Sequence, residues 1–322
     1  MKFTRRFLSY RSSSVFLIFI GLLLLFTFFS RYRFSGRGNI EVLLALGSEF
    51  SIVALGVGML MICGEFDLSI GSILVFCSFI FIRLFEMGVN LFLAGFIILI
   101  VGALLGILNG IITVKGLIPS FITTLGMMMF WRGLTLLLSR GYTRPFNPEV
   151  SPFFCHILTG EIGGIIPVQV IWFVVFGVIL GMLLHFHKFG NWVYATGDNK
   201  LAARAMGINT DRVKIICFMI VGILCAFVAM MQIIRVSTFS SRAGDGWELK
   251  AIAASVVGGT ALMGGRGSMA GIFLGVLIIS VIENGLVVLR IPYFWTYVVF
   301  GLVIIFSVLS SRYLERKKLT YD

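Results

Sequence analysis

Apolar residues run along this chain in long blocks, and the polar intervals between them are short. A helix rises 1.5 Å per residue, so about 20 apolar residues carry it across a hydrocarbon layer of ~30 Å. Ten blocks meet or approach that length: Ser14–Phe29, Ile40–Cys63, Leu68–Met87, Asn90–Val114, Pro119–Leu138, Ile166–Phe186, Val213–Ile234, Ala251–Met263, Ala270–Leu289 and Tyr293–Ser311. The pattern predicts an all-α, polytopic membrane helical bundle of about ten transmembrane helices, one domain over residues 1–322. Ala251–Met263 is short and glycine-rich, so it is expected to be broken or partly re-entrant, which membranes tolerate only where protein buries the backbone. MKFTRRFLSYR followed by an apolar run resembles a signal peptide, but no small-residue cleavage site follows, and the run reads as a retained first span.

The longest polar interval, Lys188 to Lys214, carries Lys188, Lys200, Arg204, Arg212 and Lys214. Asp198 is expected to cap a short helix that ends at Gly207. On it Leu201, Ala205 and Ile208 share one face, Ala202 and Met206 lie together, and Lys200 and Arg204 line another. Asn209 or Thr210 then caps the next helix, with Asp211 in its first turn. Two readings stand side by side: a rigid helix between spans that relays force from a soluble partner, or an amphipathic helix lying on lipid. Lys and Arg are more numerous on the segments that share a side with 188–214, the basic N-terminus (Lys2, Arg5, Arg6, Arg11) and Arg312, Arg316, Lys317 and Lys318. The positive-inside bias therefore places 188–214 and both termini in the cytoplasm. The segment 139–165 falls outside, with Pro145, Pro148 and Pro152, as a lid or docking surface or as an unstructured connector.

Composition narrows the class. The chain is 59% hydrophobic and 12% charged, against about 25% charged for soluble domains. The formal charge of +12 does not point to nucleic acid, because the cations sit between apolar runs. The five cysteines form no CxxC pair, and His156, His185 and His187 are scattered. They imply neither a metal site nor a disulfide. GxxxxGK[ST], HExxH and GxSxG are all missing. No catalytic residue and no cofactor is assigned to this chain.

Polar residues inside or between spans are the candidates for a pathway: Glu65, Asp67, Ser69, Asn109, Glu283 and Asn284. Asp67 can cap the third span, with Ser69 and Ser72 adding donors, or its break can line a route for solute. For Asn109, Glu283 and Asn284, interhelical hydrogen bonding stands against a polar pathway. No cation within its span obviously neutralises Glu283. Gly102, Gly106 and Gly110, and again Gly267, Gly271 and Gly275, recur every four residues, for packing within the bundle or for a homodimer seam. Asn109-Gly110 then Ile118-Pro119, and Asn284-Gly285 then Ile291-Pro292, stand five spans apart, an odd number that predicts an inverted repeat.

Three stretches carry a family likeness: YATGDNKLAARAMGINTDRVK, GEFDLSIGS (Gly64 to Ser72) and GWELKAIAASVVGGTALMGGRGS (Gly246 to Ser268). In this order they resemble the ribose-type permeases of bacterial ABC sugar importers, and the likeness covers nearly the whole chain after Asn39. The resemblance implies a permease in the bacterial cytoplasmic membrane that carries a monosaccharide such as ribose or a related pentose or hexose. It implies a homodimer, a periplasmic or lipid-anchored sugar-binding protein, and a separate ABC ATPase that uses ATP and Mg. It implies that Asp198, Asn199, Leu201, Ala202, Ala203, Met206 and Gly207 meet that ATPase. In this family an uncharged residue is commoner at the position of Glu65, and an acidic one at that of Lys250. Nucleosides, polyols, a furanose signal molecule or branched-chain amino acids remain alternative cargoes, and an ion-coupled secondary transporter a rival class.

Overall fold

The computed structural model describes residues 11–319, leaving out Ile165 and Tyr293; Lys2, Arg5 and Arg6 of the charge pattern lie outside the described residues. The order is α1 (Arg11–Phe29), α2 (Arg37–Ile62), α3 (Ile70–Glu86), α4 (Leu91–Lys115), α5 (Ser120–Ser139), α6 (Pro152–Thr159), α7 (Val168–His185), α8 (Lys188–Asp198), α9 (Lys200–Ala205), α10 (Thr210–Val236), α11 (Trp247–Val257), α12 (Met269–Val288) and α13 (Phe294–Leu319). A helix occupies every predicted block. Six of them, α2, α4, α5, α7, α10 and α12, are both long and apolar enough to cross a membrane. Two of the other blocks are shortened for local reasons. α3 has 17 residues because Gly64–Ser69 is not helical. α11 has 11 residues, about 16 Å at 1.5 Å per residue, because the Gly-rich run after Val257 breaks it, as its composition predicts.

α2 and α10 form the centre; α2 is buried continuously from Ser48 to Ile62. α10 packs against α4 and α3, while α2 packs against α12 and α11. α3 also packs on α4 and α5, and α11 on α12 and α13. Close approach depends on glycine. A Cβ on Gly102 or Gly106 would strike the backbone carbonyls of Gly222 or Phe218 on α10, and one on Gly275 that of Ala254 on α11. These glycine faces are therefore seams inside the chain, which corrects the homodimer-seam reading for them. Gly71, in the first turn of α3, meets the Gly244 backbone just before α11, so the two interrupted helices start side by side.

The described residues of segment 139–165 are ordered, which overturns the unstructured connector. β1 (Arg144–Pro145) pairs antiparallel with β4 (Thr238–Phe239), and β2 (Glu161–Ile162) with β3 (Ile166–Pro167). Phe146 packs on Phe85 and Phe154 on Phe92, with ring centroids 4.7 and 5.0 Å apart. In α6, burial pushes the Cys155 thiol above its ordinary pKa, a structural rather than a reactive setting.

Candidate functional site

The interval 188–214 is a helix pair clamped to the bundle. α8 starts at His187, whose Nδ1 accepts the Phe189 amide at 3.1 Å. The cap of α9 is Asn199, whose Oδ1 accepts the amides of Leu201 at 3.1 Å and Ala202 at 3.0 Å. Asp198, expected as the cap, is instead the last residue of α8: extended backbone at Asn199 restarts the chain one residue later. Gly207 at φ +84° ends α9 as predicted, and Asn209 caps α10 by accepting from the Arg212 amide. Arg204 pins α9 to α10, donating to Thr210 Oγ1 at 2.9 Å and to Asp211 Oδ1 at 2.5 Å. Ala203 is 2% exposed, whereas Leu201 and Met206 are 77% and 80% exposed. Ala203 therefore packs inward, while Ala202 and Ala205 share the exposed side with Leu201 and Met206.

Behind α9 lies a knot of backbone. The Gly265 amide donates to the Ile62 carbonyl at 2.8 Å, Gly197 lies against that same carbonyl, and the Tyr194 hydroxyl donates to the Gly267 carbonyl at 2.8 Å. Burial holds the Tyr194 phenol above its ordinary pKa, so it remains a donor. The end of α2, the end of α8 and the loop after α11 thus meet at one point, where side chains larger than hydrogen would not fit.

Four predicted pathway residues gather next to this knot. Glu65 pairs with Lys214 of α10, both nearly buried. Asp67 accepts from the Ser69 amide at 2.8 Å, the Ser69 hydroxyl at 2.6 Å and Asn109 Nδ2 at 3.2 Å. Asn109 also donates to Ser69 Oγ at 2.8 Å. Asp67, Ser69 and Asn109 have no exposed surface. Ser120 and Thr124 of α5 accept the amides of Phe66 and Leu68, so the break between α2 and α3 is braced from three helices. Ser72, expected to add a donor, is buried near the start of α3 and its hydroxyl has no partner among the described residues.

Glu283 and Asn284 lie at the opposite end of the bundle, apart from those four. Lys250 of α11 lies 2.5 Å from Glu283, so α11 delivers from outside the span the counter-ion that the span itself does not supply. Asn284 exchanges hydrogen bonds with Asn39 at 2.9 and 3.0 Å. Arg235 donates to both oxygens of Glu49, at 2.7 and 2.9 Å. Beside these pairs is a cavity of about 320 Å³ between α2, α10, α11 and α12. Glu49 and Arg132 escape the sequence reading as site residues, although a charge inside an apolar block is the signal that finds them. Arg132 of α5 donates to the carbonyls of Ser241 at 2.7 Å and Ala243 at 3.2 Å, and pairs with Asp245 at 2.8 Å.

Comparison with known proteins identifies the family. The family model described as "Branched-chain amino acid transport system / permease component" matches residues 39–308. The chain is 36% identical to a ribose import permease protein of Haemophilus influenzae over 94% of both chains. It is 35% identical to a xylose/arabinose import permease protein of Sulfolobus acidocaldarius, over 92% of this chain and 83% of that one. An autoinducer 2 import system permease protein of Yersinia enterocolitica is 34% identical over 79% of this chain and 69% of its own. No solved structure matches. With six helices among the described residues long and apolar enough to cross a membrane, glycine seams and a family match over most of its length, this chain belongs to the branched-chain amino acid transport system / permease component family.

Proposed function

We propose that the chain is the membrane subunit of an ATP-driven ABC importer for a monosaccharide, a pentose such as ribose or a related sugar. The names of its relatives support the cargo. The observation that carries the mechanism is α9, which buries Ala203, is tied to α10 through Arg204 and presents Leu201 and Met206 outward. A soluble ATPase that grips those side chains pulls on the end of α2 and the loop after α11 through one backbone knot. ATP and Mg belong to that partner, and no cofactor is assigned here. The sugar arrives from a periplasmic or lipid-anchored binding protein. On this reading the protein sits in the bacterial cytoplasmic membrane with ten passes, some interrupted, and both termini inside.

The paired contacts support an inverted repeat. Exchanging α2–α5 with α10–α13 turns the α10–α4 and α10–α3 contacts into α2–α12 and α2–α11, and α3–α5 into α11–α13. A second copy completes the pathway. Asp245 is 58% exposed beside Arg132, and a carboxylate inside a span needs water or protein over it, not lipid. The α5 face beside it, with Gly126 and Gly133 opening on empty space, is suited to a homodimer seam along such a conduit. The likeness to autoinducer 2 permeases favours one second reading of the cargo, a furanose signal molecule.

The test is reconstitution with the cognate ATPase and receptor. Leu201→Glu with Met206→Glu should cut receptor-stimulated ATP hydrolysis at least tenfold while leaving the permease folded, since both side chains are exposed. Full hydrolysis in that variant would refute docking at α9. Uptake that survives without ATP but collapses with an uncoupler would refute the importer class.

A further inference from the structure

The cavity between α2, α10, α11 and α12 opens near three helix ends. Val42 is five residues from the start of α2, Val287 one residue from the end of α12, and Arg235 one from the end of α10. Its floor lies at Phe50 and at Ser280, which is eight residues, about 12 Å, from the end of α12. On the orientation proposed above, this is the outer end, where a receptor would deliver its cargo.

Three features define what fits. First, charge is already balanced: among the lining residues only Arg235 and Glu283 are ionisable, and each holds an opposite charge, Glu49 and Lys250. An ion entering would have to break one of those pairs, so the occupant is neutral. Second, the wall is amphipathic. Trp247 and Phe50 meet edge to face at 5.6 Å, with Leu43 and Leu46 continuing the apolar side, and Gln232, Ser280 and Asn284 supply polar atoms. Gln232 Oε1 and Ser280 Oγ have no partner among the described residues, an unusual condition for buried oxygens. Third, about 320 Å³ is at the small end for ligand pockets; it suits one sugar ring and not a disaccharide.

We infer that this cavity is a binding site for a single neutral monosaccharide within each subunit, with the ring's C–H face on Trp247 and its hydroxyls toward Gln232, Ser280 and Asn284. It rests on the sugar-importer reading and adds a place where cargo pauses on the receptor side of the membrane. Hydroxyl groups can satisfy both unpartnered oxygens after small side-chain rotations. A hydrocarbon chain entering from lipid would satisfy neither, and an amino acid zwitterion would add two charges that the cavity does not balance.

The experiment places a thiol on the wall with Leu43→Cys; the five native cysteines are buried. In nanodiscs, a small membrane-impermeant methanethiosulfonate should modify it, and D-ribose or D-xylose at millimolar concentration should slow modification at least fivefold, with leucine inert. Adding Trp247→Ala or Ser280→Ala should abolish protection, each variant being compared with its own sugar-free rate. Modification only by lipid-soluble maleimides would mean a lipid-filled cavity and overturn the proposal. So would modification that no sugar slows, in a protein whose ATP-dependent sugar uptake is intact; the importer reading would then survive alone. Protection by leucine together with leucine uptake would overturn both.

Discussion

Arg132 Nη2 lies 2.8 Å from Asp245 Oδ1, although Arg132 is the thirteenth of the twenty residues of α5 and Asp245 belongs to the non-helical stretch before α11. The guanidinium also holds the carbonyls of Ser241 and Ala243. One cation thereby replaces the helical hydrogen bonds that a broken span lacks, which is what permits irregular backbone at membrane depth. Arg132→Met should lower stability by about 1–3 kcal/mol, read as a fall in unfolding temperature in detergent. Arg132→Lys should recover only part of this, because an ammonium cannot span both carbonyls and the carboxylate with a planar fork. A Lys variant as stable as the wild type would mean that charge alone matters.

The Glu65–Lys214 pair tests how a buried charge is tolerated. Both side chains are 11% exposed. Glu65→Gln leaves an ammonium without its counter-charge and should cost about 3–5 kcal/mol. Replacing both, Glu65→Gln with Lys214→Met, should recover most of that, because the desolvation of two ions disappears with them. A double variant no more stable than the single one would show that the pair has no joint role.

Those two charges also mark how far the sequence could be read. Apolar block length located the helices, and glycines at four-residue spacing marked the seams. Spacing could not say which helix each glycine row would face; that depends on Gly222, which meets Gly102, and on Gly258, whose backbone meets Gly271 and Gly275, and both stand outside the repeats. Glu65 and Lys250 were legible as unusual charges, but their partners, Lys214 and Glu283, lie on other helices. No periodicity joins residues so far apart in sequence. Lys214 reads as one more surface cation of the polar interval and is in fact buried. The α9 cap was misplaced by one residue because Asp198 and Asn199 are both good caps, and only the backbone turn at Asn199 separates them.

Glycine substitutions should separate inner seams from open faces. Gly106→Ala puts a methyl group on the Phe218 carbonyl, and Gly102→Ala puts one on that of Gly222. Backbone cannot yield as a side-chain tip does, so each should cost roughly 2–3 kcal/mol or prevent folding, within the range for overpacking. Gly126→Ala and Gly133→Ala meet nothing within 4 Å and should leave the stability of the isolated chain unchanged or slightly raised, since Ala favours helix. Thermal unfolding of the four purified variants checks this ordering; destabilisation by Gly126→Ala as large as that by Gly106→Ala would refute it.

The two candidate caps of α9 make opposite predictions. Asn199 accepts two of the first amides of the helix, whereas Asp198 ends the preceding one. Asn199→Ala should therefore cost about 1 kcal/mol of local stability, and Asp198→Ala little. α9 has six residues, too few to persist without its cap and its Arg204 anchor. Losing the cap should thus loosen α9 without unfolding the bundle. Hydrogen exchange should show faster exchange of the α9 amides, while α2 and α10 stay protected. If α9 relays force, ATP hydrolysis by the bound partner should continue while uptake per ATP falls; Asn199→Asp, which keeps a capping oxygen, should restore it. A drop in uptake with unchanged α9 exchange would place the defect elsewhere.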